Sequence, residues 1–382
     1  MTWRDIDVVA AGHICVDIIP SFLEAEGAGP GEILRPGKLL IVGRPSVNTG
    51  GAVSNTGHAL RRLGLRVSLM GKCGDDPFGD LLIDLVRREA PGAEAGMTVS
   101  PGEQTSYTIV LSPPGIDRMF MHCPSTNDTF GPEDVDLDVL RGARLFHFGY
   151  PSLMARMYGS GGAELAQIMR GAAEAGAFTS LDMALPDPAS PAGRADWRAI
   201  LRAALPHTNV FLPSVEEIMF MLRRERFEEL ARAPGGVLGG LTAADLRALA
   251  DECLEMGVGA MVIKCGHLGA YLKVTESTER IEGLVGTSRD WVGVEIFEPA
   301  CQADDVLSAV GAGDCAVAGF LCAMLKGEGP AWCMAALTVV GAQNLAAFDA
   351  FSGVQTWDET IAQVQSDPPK VPLPPALREF AR

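Results

Sequence analysis

The sequence predicts an α/β fold: a doubly wound, mainly parallel sheet with helices on both faces, plus a small β-sheet lid. Three observations predict it. Short apolar runs alternate with helical patterns over most of the 382 residues; this rhythm puts helices on both faces of a parallel sheet. Glycine-flanked turns lead directly into helices. Two stretches fit no strand–helix unit and read as extended pieces of a second sheet.

In chain order, runs 6–11, 67–70, 144–148, 178–181, 210–212 and 261–263 read as buried strands. Helical patterns fill 53–63, 78–88, 163–175 and 243–256. Thr242 with Asp245 predicts a capping box for the last of these. Residues 104–123 read as a hairpin turning at Pro113-Pro114-Gly115, and 14–48, with Gly27, Gly29, Pro30, Gly31, Pro36 and Gly37, as extended segments joined by turns. Together these two regions would form the lid. The expected division is therefore a main α/β domain over 1–13, 49–103 and 124–360, a β lid over 14–48 and 104–123, and a proline-rich tail over 361–382 trailing on the surface. Residues 223–240 read as an insertion between core units.

Composition limits the function classes. A net charge of −17 argues against a nucleic-acid partner and against anionic membrane surfaces. No apolar run approaches the ~20 residues that cross a bilayer, and the N-terminus lacks a signal peptide's pattern; a cytoplasmic protein is expected. Nine cysteines without any Cys-x-x-Cys read as reduced, mostly buried thiols. The six histidines show no metal-ligand spacing with them, so zinc is not expected.

The chemistry concentrates at Gly311-Ala312-Gly313-Asp314, which opens an apolar helix. Such a turn leaves backbone N–H groups without intrahelical partners, a ready anion site. A carboxylate at its mouth would repel a bound anion, unless Asp314 takes a proton from a hydroxyl while the N–H groups hold a phosphoryl group in transfer. Asp17, just past the first strand, lies where polar side chains overlook the ligand crevice of such sheets. Gly50-Gly51 entering a helix with Asn55 one turn in gives close backbone approach beside an amide that donates and accepts. The segment continues to Gly71-Lys72-Cys73-Gly74-Asp75-Asp76-Pro77-Phe78-Gly79.

In these motifs the chain resembles the ribokinase-like (PfkB) family of carbohydrate kinases, over about residues 6–355. The Gly-Gly-x-x-x-Asn stretch leading to Gly-x-Asp-Asp-x-x-Gly stands at Gly50 to Gly79, and the Gly-Ala-Gly-Asp anion hole about 260 residues later. The resemblance implies transfer of the γ-phosphoryl group of ATP, with Mg²⁺, to a hydroxymethyl group of a sugar or sugar-like alcohol. It implies Asp314 as base, Gly311, Ala312 and Gly313 as anion hole, and Asp17, Gly50, Gly51 and Asn55 as acceptor contacts. Asn127, Phe120 and Met121 are further candidates for the acceptor pocket. On the nucleotide side it points to Ser214, Lys264, Gly266, Gly269 and Asn344, with Glu217 organising the metal.

The chain departs from the family pattern at several positions. Ser214 replaces an Asn. Lys264 stands where a hydroxyl is usual, supplying charge to phosphate or simply reaching solvent from a strand end. Ser308-Ala309-Val310 replaces an Asp-Thr-Thr that helps bind an activating monovalent cation in many members. A nucleoside or vitamin alcohol as acceptor, and a non-catalytic binder on the kinase fold, remain alternatives. A dinucleotide-dependent dehydrogenase is disfavoured, because no Gly-x-Gly-x-x-Gly follows the first strand. Pairing of two copies through the lid is also expected, since sheet edges invite it.

Overall fold

The segment Ile6–Gly12 (β1) is apolar at all but one position before its closing glycine, and it lies inside the main sheet with a partner on each side. The computed structural model describes residues 6–22, 36–37, 39–112, 119–277, 289–303 and 306–380. Two strands of a second sheet follow, Cys15–Ile19 (β2) and Ser46–Gly50 (β3), then Val67–Met70 (β4), Lys72–Gly74 (β5), Thr98–Ser100 (β6), Tyr107–Leu111 (β7) and Met119–Cys123 (β8). The later strands are Ala143–Gly149 (β9), Phe178–Leu181 (β10), Val210–Phe211 (β11), Ala260–Lys264 (β12), Gly269–Val274 (β13) and Glu295–Pro299 (β14).

The main sheet has eight strands in the order β14-β13-β12-β11-β10-β9-β1-β4. Pairing is parallel from β4 through β12 and antiparallel at β13 and β14. Both faces are covered, which is why central strands such as β1, β11 and β12 are mostly apolar rather than alternating. Val9, Phe146, Phe148 and Trp197 share one core, and Val8, Ala10, Leu145 and Val317 the other. The helix Ala312–Lys326 is buried at every residue from Asp314 to Leu325, packed against Pro330–Asn344 and Ala52–Arg62. A helix apolar all round belongs in a core, and here it carries the anion turn at its N-terminus.

The second sheet has the order β3-β2-β7-β8. Its hairpin β7–β8 pairs antiparallel from Tyr107↔Cys123 to Leu111↔Met119, while the predicted turn at 113–115 and the glycines at 27, 29 and 31 lie outside the described residues. The capping box at Thr242 and Asp245 is present. The C-terminal residues do not simply trail over the surface as the prolines suggested. Helix Trp357–Gln365 docks on Pro330–Asn344, Leu377 is fully buried, and Phe380 stacks on Phe297 with centroids 5.7 Å apart. Leu377 and Phe380 give this proline-rich stretch apolar anchors, and their burial outweighs the freedom of a loose tail.

Candidate active site

The site starts from the backbone at residue 311. Gly311 has φ 69°, and a Cβ there would run into the carbonyl of Ala350, so the turn admits only glycine. The first intrahelical bond runs from Cys315 N to Gly311 O at 2.8 Å. The N–H groups of Gly313 and Asp314 precede it and have no acceptor within the helix. Ala312 N donates to Ala309 O at 3.4 Å. Asn344 holds the turn from behind: its Nδ2 donates to Val310 O at 2.8 Å and Asp349 O at 3.1 Å, and its Oδ1 accepts from Gly353 N at 3.1 Å. This corrects the expectation for Asn344. It is fully buried with its amide spent on backbone, so it shapes the anion turn instead of touching a nucleotide.

Asp314 is 4% exposed. Asn55 Nδ2 donates to its Oδ2 at 3.0 Å, and Thr56 Oγ1 to its Oδ1 at 3.4 Å. Tyr150 Oη lies 2.8 Å from both oxygens. Burial pushes the Asp314 carboxyl up, while the Lys264 charge and the three donors pull it back without cancelling the rise. Asn55 Oδ1 is buried and, among the described residues, has no hydrogen-bond partner.

Lys264 ends β12, and its side chain is mostly buried, 12% exposed. Its Nζ sits 2.6 Å from Asp182 Oδ1, and its Cε is 4.0 Å from the place a Cβ would take on Gly313. Burial opposes the ammonium, but the carboxylates of Asp182, Glu217 and Asp314 prevail and raise its pKa. Burial likewise pushes the Asp182 and Glu217 carboxyls up, each against the pull of Lys264. Ser214 and Glu217 form a capping box on helix Val215–Leu222: Ser214 N donates to Glu217 Oε2 at 2.6 Å, and Glu217 N to Ser214 Oγ at 3.2 Å. An isolated bridge sets Ser214 beside Lys264, which brings Glu217 to the same end of the sheet. A cavity of about 540 Å³ opens here, lined by Lys264, Gly266, Gly269, Ala312, Gly313 and Thr338 among others. Lys264, Gly266 and Gly269 thus line this cavity, Ser214 and Glu217 stand beside Lys264, and Asn344 backs the turn.

The acceptor-side candidates lie on the other side of Asp314. Asp17 on β2 is half-buried, and its carboxyl is pushed up to about 6 by burial, against hydrogen bonds from Cys15 and Thr108. A small cavity joins Asp17 and Thr49 to Val310 and Ala350, next to the anion turn. Gly50 packs directly on the Asp17 carboxylate, and Gly51 on His13. Asn127 is a second correction: its Oδ1 accepts from Ile14 N at 3.1 Å and its Nδ2 donates to Ile14 O at 2.9 Å, so it clamps the β1–β2 turn. Phe120 and Met121 are 62% and 57% exposed on β8, so neither belongs to the core.

Sequence reasoning missed Tyr150 and Thr56. Thr56 follows Asn55 in the same helix. Tyr150 follows β9 directly, and a polar side chain just past a strand end was the available signal. It takes φ 62°, uncommon for a residue with a side chain, and that places its hydroxyl on Asp314.

The chain matches the pfkB family carbohydrate kinases over residues 6–356. It belongs to that family. Among curated relatives, the Arabidopsis thaliana protein named Probable fructokinase-4 is 30% identical over 225 residues, 58% of this chain and 64% of that protein. Fructokinase of Solanum tuberosum is 29% identical over 178 residues, 46% and 50% of the two chains. This family member thus spans about half to two thirds of the length of the curated relatives it matches. Arabidopsis thaliana ribokinase, solved with ribose and ATP, superposes with a TM-score of 0.69 at 15% identity, covering 94% of this chain and 99% of that one. Fructokinase with bound ATP from Xylella fastidiosa gives 0.67 at 19% identity, with 94% and 98% covered. At these identities the structural likeness establishes the ribokinase-like fold. Among the described residues, no helix is long and apolar enough to cross a membrane.

Proposed function

We propose that this protein is a sugar kinase that transfers the γ-phosphoryl group of ATP, with Mg²⁺, to a hydroxymethyl group of a sugar or sugar-like alcohol. The observation that carries it is the Asp314 carboxylate at the mouth of the Gly311–Gly313 turn, in contact with Asn55 from the acceptor side. Asp314 accepts the proton of the acceptor hydroxyl as that oxygen bonds to phosphorus and the bond to the ADP oxygen breaks. The N–H groups of the turn, with Lys264 beside them, hold the charge of the group in flight. Asn55 Oδ1, with no partner of its own, and the Asp17 carboxylate offer acceptors to the hydroxyls of a sugar. Tyr150 keeps both oxygens of Asp314 oriented.

A divalent cation fits the donor set. Asp182 and Glu217 are hard oxygen donors whose carboxyls burial raises, so a positive ion beside them would relieve charge they now carry at a cost. When bound, Mg²⁺ would neutralise phosphate charge, and Glu217 with Asp182 would hold it. The carbonyls of Ala309 and Val310 are already engaged by Ala312 N and Asn344, which favours activity without an added monovalent cation.

ADP release measured across hexoses, pentoses, aldonates and nucleosides tests the reading. Turnover with a sugar, fructose first because the relatives are named fructokinases, supports it. Turnover only with a nucleoside moves the acceptor class. Thermal stabilisation by sugar and ATP without ADP release would make the protein a binder. Exposed Phe120 and Met121 on β8 favour a dimer paired through the lid, which light scattering on the purified protein checks.

A further inference from the structure

We propose that His13, Cys15 and His122 form a binding site for a thiophilic divalent cation of the Zn²⁺ class, joining the lid to the turn after β1. His122 stands on β8, 109 residues from His13, yet their Nε2 atoms are 3.3 Å apart. Two imidazole nitrogens on one tetrahedral zinc, each at about 2.0–2.1 Å, stand about 3.3–3.4 Å from each other, so the pair already has ligand spacing. The ligating atoms of the three side chains lie within 4.8 Å of one another. Nitrogen and sulfur on tetrahedral zinc need about 3.6 Å, which a shift of order 1 Å at the Cys15 side chain supplies.

A supporting shell is present. Thr108 Oγ1 lies 3.0 Å from His122 Nδ1 and 3.4 Å from Cys15 Sγ. A ligating histidine ordinarily gives its other ring nitrogen to such a partner, which fixes the tautomer and turns the Nε2 lone pair toward the metal. A simple N–H···N bond between the two rings would account for their contact. In that state Cys15 Sγ donates to Asp17 Oδ1 at 3.2 Å, so the cation has to displace both contacts.

Cation binding needs a lone pair on both Nε2 atoms and a thiolate. His13 therefore carries its ring proton on Nδ1, His122 carries its own toward Thr108, and Cys15 releases one proton to solvent. Nothing is oxidised or reduced. Three protein ligands leave a fourth position for water. The His13 ring is 6.1 Å from that of Tyr150, which touches Asp314, so the cation would sit in the wall of the acceptor pocket.

Co²⁺ titration of the chelator-treated, full-length protein tests this independently of the phosphoryl-transfer reading. The expected result is one equivalent bound, with the visible bands of tetrahedral Co²⁺, a thiolate charge-transfer band in the near ultraviolet, one proton released, and displacement by Zn²⁺. Cys15→Ser should abolish the charge-transfer band, and His122→Gln should weaken binding by at least about 100-fold. Thr108→Val, which keeps all three ligands, should weaken it about 10–100-fold and reports the site even if a ligand variant fails to fold. Absence of the charge-transfer band in the unmodified protein overturns the proposal. So does unchanged binding in folded Cys15→Ser or in Thr108→Val, which would place the cation elsewhere, among carboxylates.

Discussion

On the phosphate side, Asp182, Glu217 and Asp314 converge on one ammonium, Lys264, from strand ends and helix starts of the main sheet. On the acceptor side, Asp17, His13 and His122 sit on or against a four-stranded sheet, and burial is the largest perturbation of each. The first region gathers three carboxyls around a shared ammonium, which orients them before any ligand arrives and leaves negative charge for a cation to offset. The second holds polar groups whose demands are only partly met, which is what a site waiting for a hydroxyl-rich ligand requires. On the reading proposed above, reaction chemistry and recognition are divided between two sheets, with the N-terminus of helix Ala312–Lys326 between them.

The comparison breaks most visibly at Asp314. Asp314→Asn should lower turnover by ~10²–10⁴ while sugar binding and the unfolding midpoint stay close to wild type. ADP release at the wild-type rate would remove the base. Next in size, Lys264→Met leaves Asp182 and Glu217 facing each other without their cation. Removing one partner of a buried pair costs about 3–5 kcal/mol, read as a lowered urea midpoint. Adding Asp182→Asn to that variant should restore much of the loss.

Tyr150→Phe is smaller. It takes away the shared hydrogen bond that holds the Asp314 carboxyl down, so the acid limb of the rate profile should move to higher pH and turnover fall about tenfold. An unmoved limb would show that Tyr150 does not set the base. The smallest effect is on the acceptor side. Asp17 has its carboxyl raised to about 6, so the folded protein prefers it protonated, and ionisation above that pH costs stability. Asp17→Asn should therefore raise the melting temperature at pH 7 by a few degrees, on the order of 2–4 °C. That gain should shrink as pH falls from 6 toward 4, while the acceptor KM rises throughout.

Much of this was legible in the sequence, and unevenly. Strands such as 178–181 and helix 163–174 stand almost where apolar periodicity put them, because main-sheet strands are covered on both faces and carry a strong signal. The turn at Gly311 was legible because its function needs a particular backbone shape, and only glycine supplies it. Asn127 and Asn344 were misplaced for the opposite reason. An amide spent on Ile14 or Val310 looks, in sequence, the same as one held out to a ligand. Tyr150 escaped because nothing local distinguishes a tyrosine whose backbone turns left-handed from one that does not. The tail was misjudged on its prolines, although Leu377 and Phe380 carried the contrary signal.

Asn344 and Ala350 press on the anion turn from the segment that follows helix Pro330–Asn344. A protein ending near residue 345 would keep Asp17, Asn55, Tyr150, Lys264 and Asp314 in full. It would lose the backing that bends residue 311, much as a lens loses focus when its mount is cut away. Counting surviving side chains would then rate such a fragment competent, and its chemistry would already be gone.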